Sequence, residues 1–375
     1  MNNNYKSIFE PFELPSGVQL KNRVIMAPMT LAASKSNGAV TEEELAYYIE
    51  RSQGVGAVIT SSALVSQNGK LMENGFGVDD DVLLPGLKTL ANTIHEQGSK
   101  AFVQIFHAGR RSNPALLSGG QPLSASAVAA EHEGSATPKA MTEEEIENAI
   151  HEFAHATRRV IEAGFDGVEI HGANGFLIQQ FFSPHSNRRE DQWGGTLEKR
   201  MRFPLEIIKR VKEMVTKHAK SPFVVGYRFS PEERESLGIT MEDTLQFVDV
   251  LAEQKLDYIH LSVDHFWGEP RREESNSTKS RVVMVQERAG NRVPVIGVGG
   301  LSTPDDVVKA LGTGIPLVTM GHALIMEPKW VEKVQSGQEK EIRTTLPRLA
   351  QKELVVPDHL WGFITNIPGW FPVVD

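Results

Sequence analysis

A single (β/α)8 TIM barrel is the fold this chain predicts, on three observations. Short β-rich segments recur eight times along its 375 residues, helical stretches stand between them, and the composition shifts nowhere. Strict alternation of strand and helix implies a parallel sheet. Eight repeats, with no Pro/Gly/Ser-rich linker dividing them, favour a closed ring over an open doubly wound sheet.

The strand segments, in order, are Arg23 to Pro28, Gly56 to Ser62, Ala101 to His107, Gly164 to His171, Pro222 to Phe229, Asp257 to Val263, Pro294 to Gly299 and Ile315 to Gly321. Thr41-Glu-Glu-Glu44 opens the helix after the first strand as a capping box. Thr142-Glu-Glu-Glu145 opens another before Ile146, Ala149, Ile150 and Phe153, which share one helical face. Extra length falls at Ser112 to Met141 and at Asp264 to Thr278, after the third and sixth strands, so both insertions emerge over the C-terminal face. Residues 1–340 are assigned to the barrel, and 341–375 to a helix and an aromatic, proline-bearing tail packed outside it.

Composition narrows the function. A formal charge of −9 and a pI near 5.8, without a basic stripe, argue against nucleic-acid binding. The chain has no cysteine, which removes disulfides, thiolate nucleophiles, zinc–thiolate sites and iron–sulfur clusters. The opening Met1-Asn-Asn-Asn-Tyr-Lys carries no apolar signal core, and no window has the apolar length of a membrane span. The expectation is a soluble cytoplasmic protein acting on a small molecule.

The most informative run is His171-Gly-Ala-Asn174-Gly-Phe176, continuing through Arg188-Arg189 to Trp193-Gly194-Gly195, directly after the strand-like Gly167-Val-Glu-Ile170. A strand that hands over to a polar, glycine-broken loop is where α/β enzymes keep their chemistry. His171 and Asn174 can both present donors into one mouth, which suits polarising a carbonyl, phenol or nitro oxygen. Arg188, Arg189, Glu190 and Asp191 read instead as a charged loop that pairs and caps internally. After the seventh strand, Gly299-Gly300-Leu-Ser302-Thr303-Pro304 combines close backbone approach with a capped helix start. With Met320-Gly321-His322-Ala323 after the eighth, it would seat a phosphate.

Together with these runs, Leu20 to Thr30, Gln104-Ile-Phe-His107-Ala-Gly-Arg110, Arg228-Phe-Ser-Pro231 and Val298-Gly299-Gly300 resemble the old yellow enzyme family of FMN-dependent oxidoreductases, in order and over nearly the whole chain. The resemblance implies a (β/α)8 barrel with FMN across its C-terminal mouth and NADH or NADPH as reductant. It implies that Ala27, Pro28, Met29 and Thr30 border the flavin, with Ser62 (and Ser61) beside them. Gln104 would hydrogen-bond the pyrimidine part and Arg228 would stand beside N1. Gly299, Gly300, Gly321 and His322 would hold the phosphate. His171 and Asn174 would bind the oxygen of an activated alkene or a phenol as the catalytic pair, with Phe176 against the substrate. Homo-oligomers are common in that family, and nothing in this chain identifies an interface.

Three departures matter. The family's proton donor is a tyrosine where this chain has Phe176, and a phenyl ring cannot donate a proton. Thr30 stands where a subgroup has cysteine, and His322 where arginine is common. The expectation is therefore hydride transfer from NAD(P)H through FMN to a quinone, nitro compound, activated alkene or similar acceptor, with alkene reduction in question. One alternative is a metal-dependent barrel hydrolase using His107, His171, His260, His265 and Asp264. Another is a flavin-binding protein with little turnover. The segment Asp264-His-Phe-Trp-Gly-Glu-Pro-Arg271-Arg272 is a candidate lid, although a mobile, solvated loop is the simpler reading.

Overall fold

The computed structural model describes residues 2–272 and 278–375. Eight parallel strands form its centre: β1 (Val24–Met26), β2 (Ala57–Ile59), β3 (Lys100–Phe106), β4 (Gly167–Gly172), β5 (Val224–Phe229), β6 (Tyr258–Leu261), β7 (Val295–Gly297) and β8 (Leu317–Met320). Each pairs with the next, and β8 returns to β1, so the ring is closed as the alternation predicts. The strands are shorter than their apolar runs because pairing stops where an end bends toward a loop. The Gly56 to Ser62 segment pairs over β2, and the chain then rejoins β3 through Ala63–Leu64.

The helices are α1 (Glu42–Ser52), α2 (Leu84–Glu96), α3 (Glu143–Glu162), α4 (Leu177–Phe182), α5 (Leu197–His218), α6 (Met241–Ala252), α7 (Arg281–Ala289), α8 (Pro304–Leu311), α9 (His322–Met326), α10 (Trp330–Ser336) and α11 (Asp358–Asn366). Both expected capping boxes form, Thr41 with Glu44 and Thr142 with Glu145, and each satisfies two otherwise orphaned N–H groups. On α3 the predicted apolar face is the buried one, Ile146, Ala149, Ile150 and Phe153.

The two ends of the barrel are unlike. An antiparallel hairpin, Phe12–Glu13 with Gln19–Leu20, closes the N-terminal end, where Leu14, Val18 and Leu20 pack against Ile25, Ile59, Phe102, Val224, Ile296 and Leu317. That seal leaves the C-terminal mouth as the open face.

Two loops over that mouth are fixed by their own contacts. Arg189 pairs with Asp191 at 2.6 Å, the internal pairing expected of that run, and also donates outside it to the carbonyls of Ala125 and Met141. The described part of the candidate lid is solvated at Asp264, His265, Glu269 and Arg271 but anchored at one point. Phe266 is fully buried, its N–H bonds the Gly299 carbonyl at 2.9 Å, and Asp264 takes hydrogen bonds from Arg271 and Arg281. Burying an aromatic ring outweighs the solvation of a short polar segment. The remainder of that insertion, 273–277, lies outside the described residues.

Candidate active site

Strand register sets the site. His171 on β4, Arg228 on β5 and His260 on β6 lie side by side, one layer above Gln104 on β3 and Glu169 on β4. Period-two alternation makes Glu169 and His171 share a face of β4, so both turn into the barrel.

His171 is buried, and its Nδ1 accepts the Ala173 N–H at 3.2 Å. That bond leaves the proton of a neutral ring on Nε2. Burial first, then the Arg228 charge, pushes its pKa down to about 3, so the imidazole is a neutral donor. Asn174 has a left-handed backbone, φ +58°, which asparagine tolerates better than most residues. Three loops hold it there. Arg111 Nη1 donates to its carbonyl at 2.5 Å, its own N–H donates to Ser230 Oγ at 3.0 Å, and Ser262 Oγ donates to its Oδ1 at 2.7 Å. With Oδ1 engaged, the Nδ2 protons are what the amide offers a ligand.

Phe176 stands edge-on to His171, ring centres 5.0 Å apart, and to Phe106 at 5.2 Å, with the Arg111 guanidinium 5.2 Å over its face. It forms an apolar wall with Leu64, Phe106 and Leu71. A small cavity beside that wall is lined by Thr30, Ser61, Ser62, Leu64, Lys70 and Phe106. Across the β8–β1 junction, a Cβ on Gly321 would lie 3.0 Å from Met29 Sδ and 3.6 Å from Ala27 Cβ. Ala27, Met29 and Gly321 therefore make one wall, with Pro28 between them in sequence.

The floor is polar. Gln104 Nε2 donates to Glu169 Oε1 at 2.7 Å, Glu169 Oε2 pairs with His260 Nδ1 at 2.8 Å, and His260 Nε2 meets Thr319 Oγ at 2.9 Å. Burial opposes ionisation of Glu169, but the hydrogen bonds from His260 and Gln104 and the Arg228 charge outweigh it and hold the carboxyl below its ordinary value. Burial keeps His260 below its ordinary value, and a neutral ring donating from Nδ1 and accepting from Thr319 satisfies every group in the chain. Glu169 and Thr319 were not singled out from the sequence. The signal was there for Glu169, a charged residue two positions before His171 in an otherwise apolar strand.

At the phosphate end, Gly299 and Gly300 have φ of +114° and +67°. A Cβ on Gly299 would lie 2.7 Å from the Phe266 N, whereas one on Gly300 would meet only the His265 ring at 3.8 Å and the Asp264 carbonyl at 4.0 Å, so the turn is packed at its first glycine and open at its second. The helix start is different from expectation. Asp306 accepts from the N–H groups of Ser302 and Thr303 at 3.2 and 2.8 Å, so its carboxylate already fills that anion seat. A phosphate is left with the glycine turn and with Gly321–His322. The His322 ring lies 4.1 Å from Phe371 and edge-on to Trp370 at 5.6 Å, and burial lowers its pKa. It would meet a phosphate as a neutral donor rather than as a cation.

The metal alternative loses its ligands. His107 accepts the Gly109 N–H at Nδ1, 3.0 Å, and bonds Asn68 Oδ1 through Nε2, 2.6 Å, while His260 is engaged at both nitrogens. Among the described residues no group of three or more His, Asp or Glu side chains could hold a metal ion. A flavin fits better. Arg228 Nε is buried with no partner among the described residues, an orphaned donor that costs about 1–3 kcal/mol unless an acceptor meets it. The acceptor-bearing pyrimidine edge of FMN would supply one.

Residues 7–341 match the family model described as NADH:flavin oxidoreductase / NADH oxidase family. Over 375 residues the chain is 46% identical to the probable NADH-dependent flavin oxidoreductase YqiG of Bacillus subtilis (strain 168), covering the whole of both. It is 45% identical over 351 residues to the NADH:acrylate oxidoreductase of Vibrio harveyi, covering 92% of this chain and 34% of that longer protein. The structure of morphinone reductase in complex with tetrahydroNAD superposes with a TM-score of 0.75 at 27% identity, over 88% of this chain and 91% of that one. Among the described residues no helix is long and apolar enough to cross a membrane.

Proposed function

The chain belongs to the NADH:flavin oxidoreductase / NADH oxidase family, and from that premise we propose that it takes electrons from NADH and delivers them to acceptors that need no proton from a side chain. It is an NADH- or NADPH-dependent flavin oxidoreductase of the old yellow enzyme type, with FMN as cofactor. When bound, FMN would supply the redox chemistry, hydride transfer between the nicotinamide and the acceptor.

In this reading Gln104 and Arg228 hold the pyrimidine edge, and Arg228 offers positive charge where reduction places negative charge. Ala27, Pro28, Met29, Thr30 and Ser62 flank the ring. Gly299, Gly300, Gly321 and His322 seat the phosphate. The His171 Nε2–H and Asn174 Nδ2–H converge on the acceptor's oxygen and draw electron density toward it. Quinones and nitro compounds suit such a pair, because their reduced oxygens collect protons from water.

Phe176 carries the proposal. Its ring lies within 5.0 Å of His171, in the place from which the resembled family protonates an alkene carbon. NADH is preferred because the two relatives above both name it as donor, while only one names acrylate as acceptor.

The test is anaerobic stopped-flow. The oxidised enzyme should bleach faster with NADH than with NADPH. The reduced enzyme should then reoxidise quickly with a quinone and slowly with a cyclic enone. Phe176→Tyr should speed the enone step by about 10²-fold or more, the usual contribution of a placed general acid, and leave the quinone step unchanged. Enone turnover that matches quinone turnover and is indifferent to Phe176→Tyr would overturn the proposal.

A further inference from the structure

Below the mouth lies an ionised carboxylate that the reaction just described does not use. Barrel interiors are normally filled by branched apolar side chains, and a buried charge is tolerated only when its lone pairs are met. Glu169 and His260 are both fully buried, and both Glu169 oxygens are bonded, one by Gln104 and the other by His260. This network has two consequences for the site. Gln104 has its Nε2 committed sideways to Glu169, its register partner, so its Oε1 is the atom left to face a ligand, an acceptor for an N–H. Arg228, whose field acts on both Glu169 and His171, has its positive charge opposed from beneath.

We propose that Glu169 is a positioning residue that fixes the polarity of Gln104 and balances Arg228, and so sets how strongly the site prefers reduced over oxidised FMN. The inference rests on the reading that Gln104 and Arg228 face the flavin's pyrimidine edge. Reduction adds negative charge there. With the carboxylate removed, Arg228 stands unopposed and the reduced cofactor gains more than the oxidised one.

The experiment measures FMN dissociation constants of the apoprotein for oxidised and, anaerobically, reduced FMN, with the bound potential read by dye equilibration. Glu169→Gln should weaken oxidised FMN several-fold, because an amide no longer dictates which way Gln104 turns. It should raise the oxidised-to-reduced ratio of dissociation constants about tenfold, an upward shift of ~30 mV for a two-electron couple. Glu169→Asp keeps the charge but shortens its reach, so it should weaken oxidised FMN and leave the ratio alone. If the Gln variant moves both constants by one factor, or if Gln and Asp move the ratio equally, the proposal is overturned.

Should Glu169→Gln alone not fold, the double variant Glu169→Gln with His260→Gln gives each lost partner an amide that donates and accepts, and reads the same ratio. Gln104→Ala separates the two levels. No change in FMN affinity in that variant refutes the placement of the flavin. Weakened FMN with an unaltered ratio in Glu169→Gln refutes this inference alone.

Discussion

At the scale of single residues, the donors of the mouth are defined by what their other atoms do. His171 has its Nδ1 on a backbone N–H and a pKa pushed down to about 3, below its ordinary 6.5. It therefore stays neutral at every pH above roughly 4, and acceptor kcat/KM should show no inflection from this residue between about pH 5 and pH 9. A wild-type pH profile with an inflection near 6.5 that His171→Asn abolishes would contradict this. Asn174 offers Nδ2 because Ser262 holds its Oδ1. Asn174→Ala should weaken phenol binding about 10- to 100-fold, the loss of one or two hydrogen bonds in a desolvated site, measured by spectral titration of the flavin. Asn174→Asp, with the same shape but an acceptor in place of the donor, should weaken it at least as much. His171, Asn174 and Phe176 were legible in the sequence because they stand within six residues of a strand end. Arg111, Ser230 and Ser262 were not, since they come from three separate loops and only the closed ring makes them neighbours.

At the scale of elements, the barrel trades side chains between strands on both faces. On the inner face Gly226 on β5 has no Cβ because the Tyr258 ring of β6 occupies that space, and on the outer, helix-facing side Gly172 on β4 yields in the same way to Tyr227. Gly226→Ala should cost about 1–3 kcal/mol through overpacking, read as a lower midpoint in urea unfolding of the apoprotein. An unchanged midpoint would mean that Tyr258 can move aside. Helix starts were the most legible elements, because a capping box is local chemistry: Thr41, Thr142 and Thr303 each cap as their sequences indicate. The helix start after β7 differs from expectation for the same local reason. Asp306 sits three residues after Thr303, where a capping carboxylate takes the N–H groups that a phosphate would otherwise use.

At the scale of the whole molecule, the C-terminal segment is tied to the barrel by one buried guanidinium. Arg51 on α1 donates to the carbonyls of Tyr47, Leu324, Leu354 and Val355 and lies 4.0 Å over the Tyr47 ring. No methionine can replace that many donors, so Arg51→Met should cost about 3 kcal/mol or more and expose the segment after residue 340 to limited proteolysis. Cleavage no faster than in wild type would show that apolar packing and the other hydrogen bonds, such as Asp358 N–H to Glu43, hold the tail without Arg51. Glu44 makes one pH-dependent contribution to stability. Burial pushes its pKa up to about 7 from 4.5, so the folded chain favours the protonated carboxyl. A raised folded pKa means that this group's contribution is full below about pH 4.5 and is lost as pH rises through 7. Relative to wild type, Glu44→Gln should gain stability between pH 5 and pH 8, on the order of 2 kcal/mol, in parallel urea titrations.

The barrel and its helix starts came from the sequence by itself, because hydrophobic periodicity and capping are properties of neighbouring residues. So did the loops proposed to carry the chemistry, since a strand that ends in a polar, glycine-broken run declares itself locally. The tertiary structure alone decided which of their atoms are engaged and which are left free at the mouth. Glu169 beside Gln104, Ser262 on Asn174, Phe371 on His322 and Phe266 under the β7 turn are contacts between residues far apart in the chain. Ring closure and strand register bring them together, and those are cooperative outcomes of the whole core that no single segment encodes.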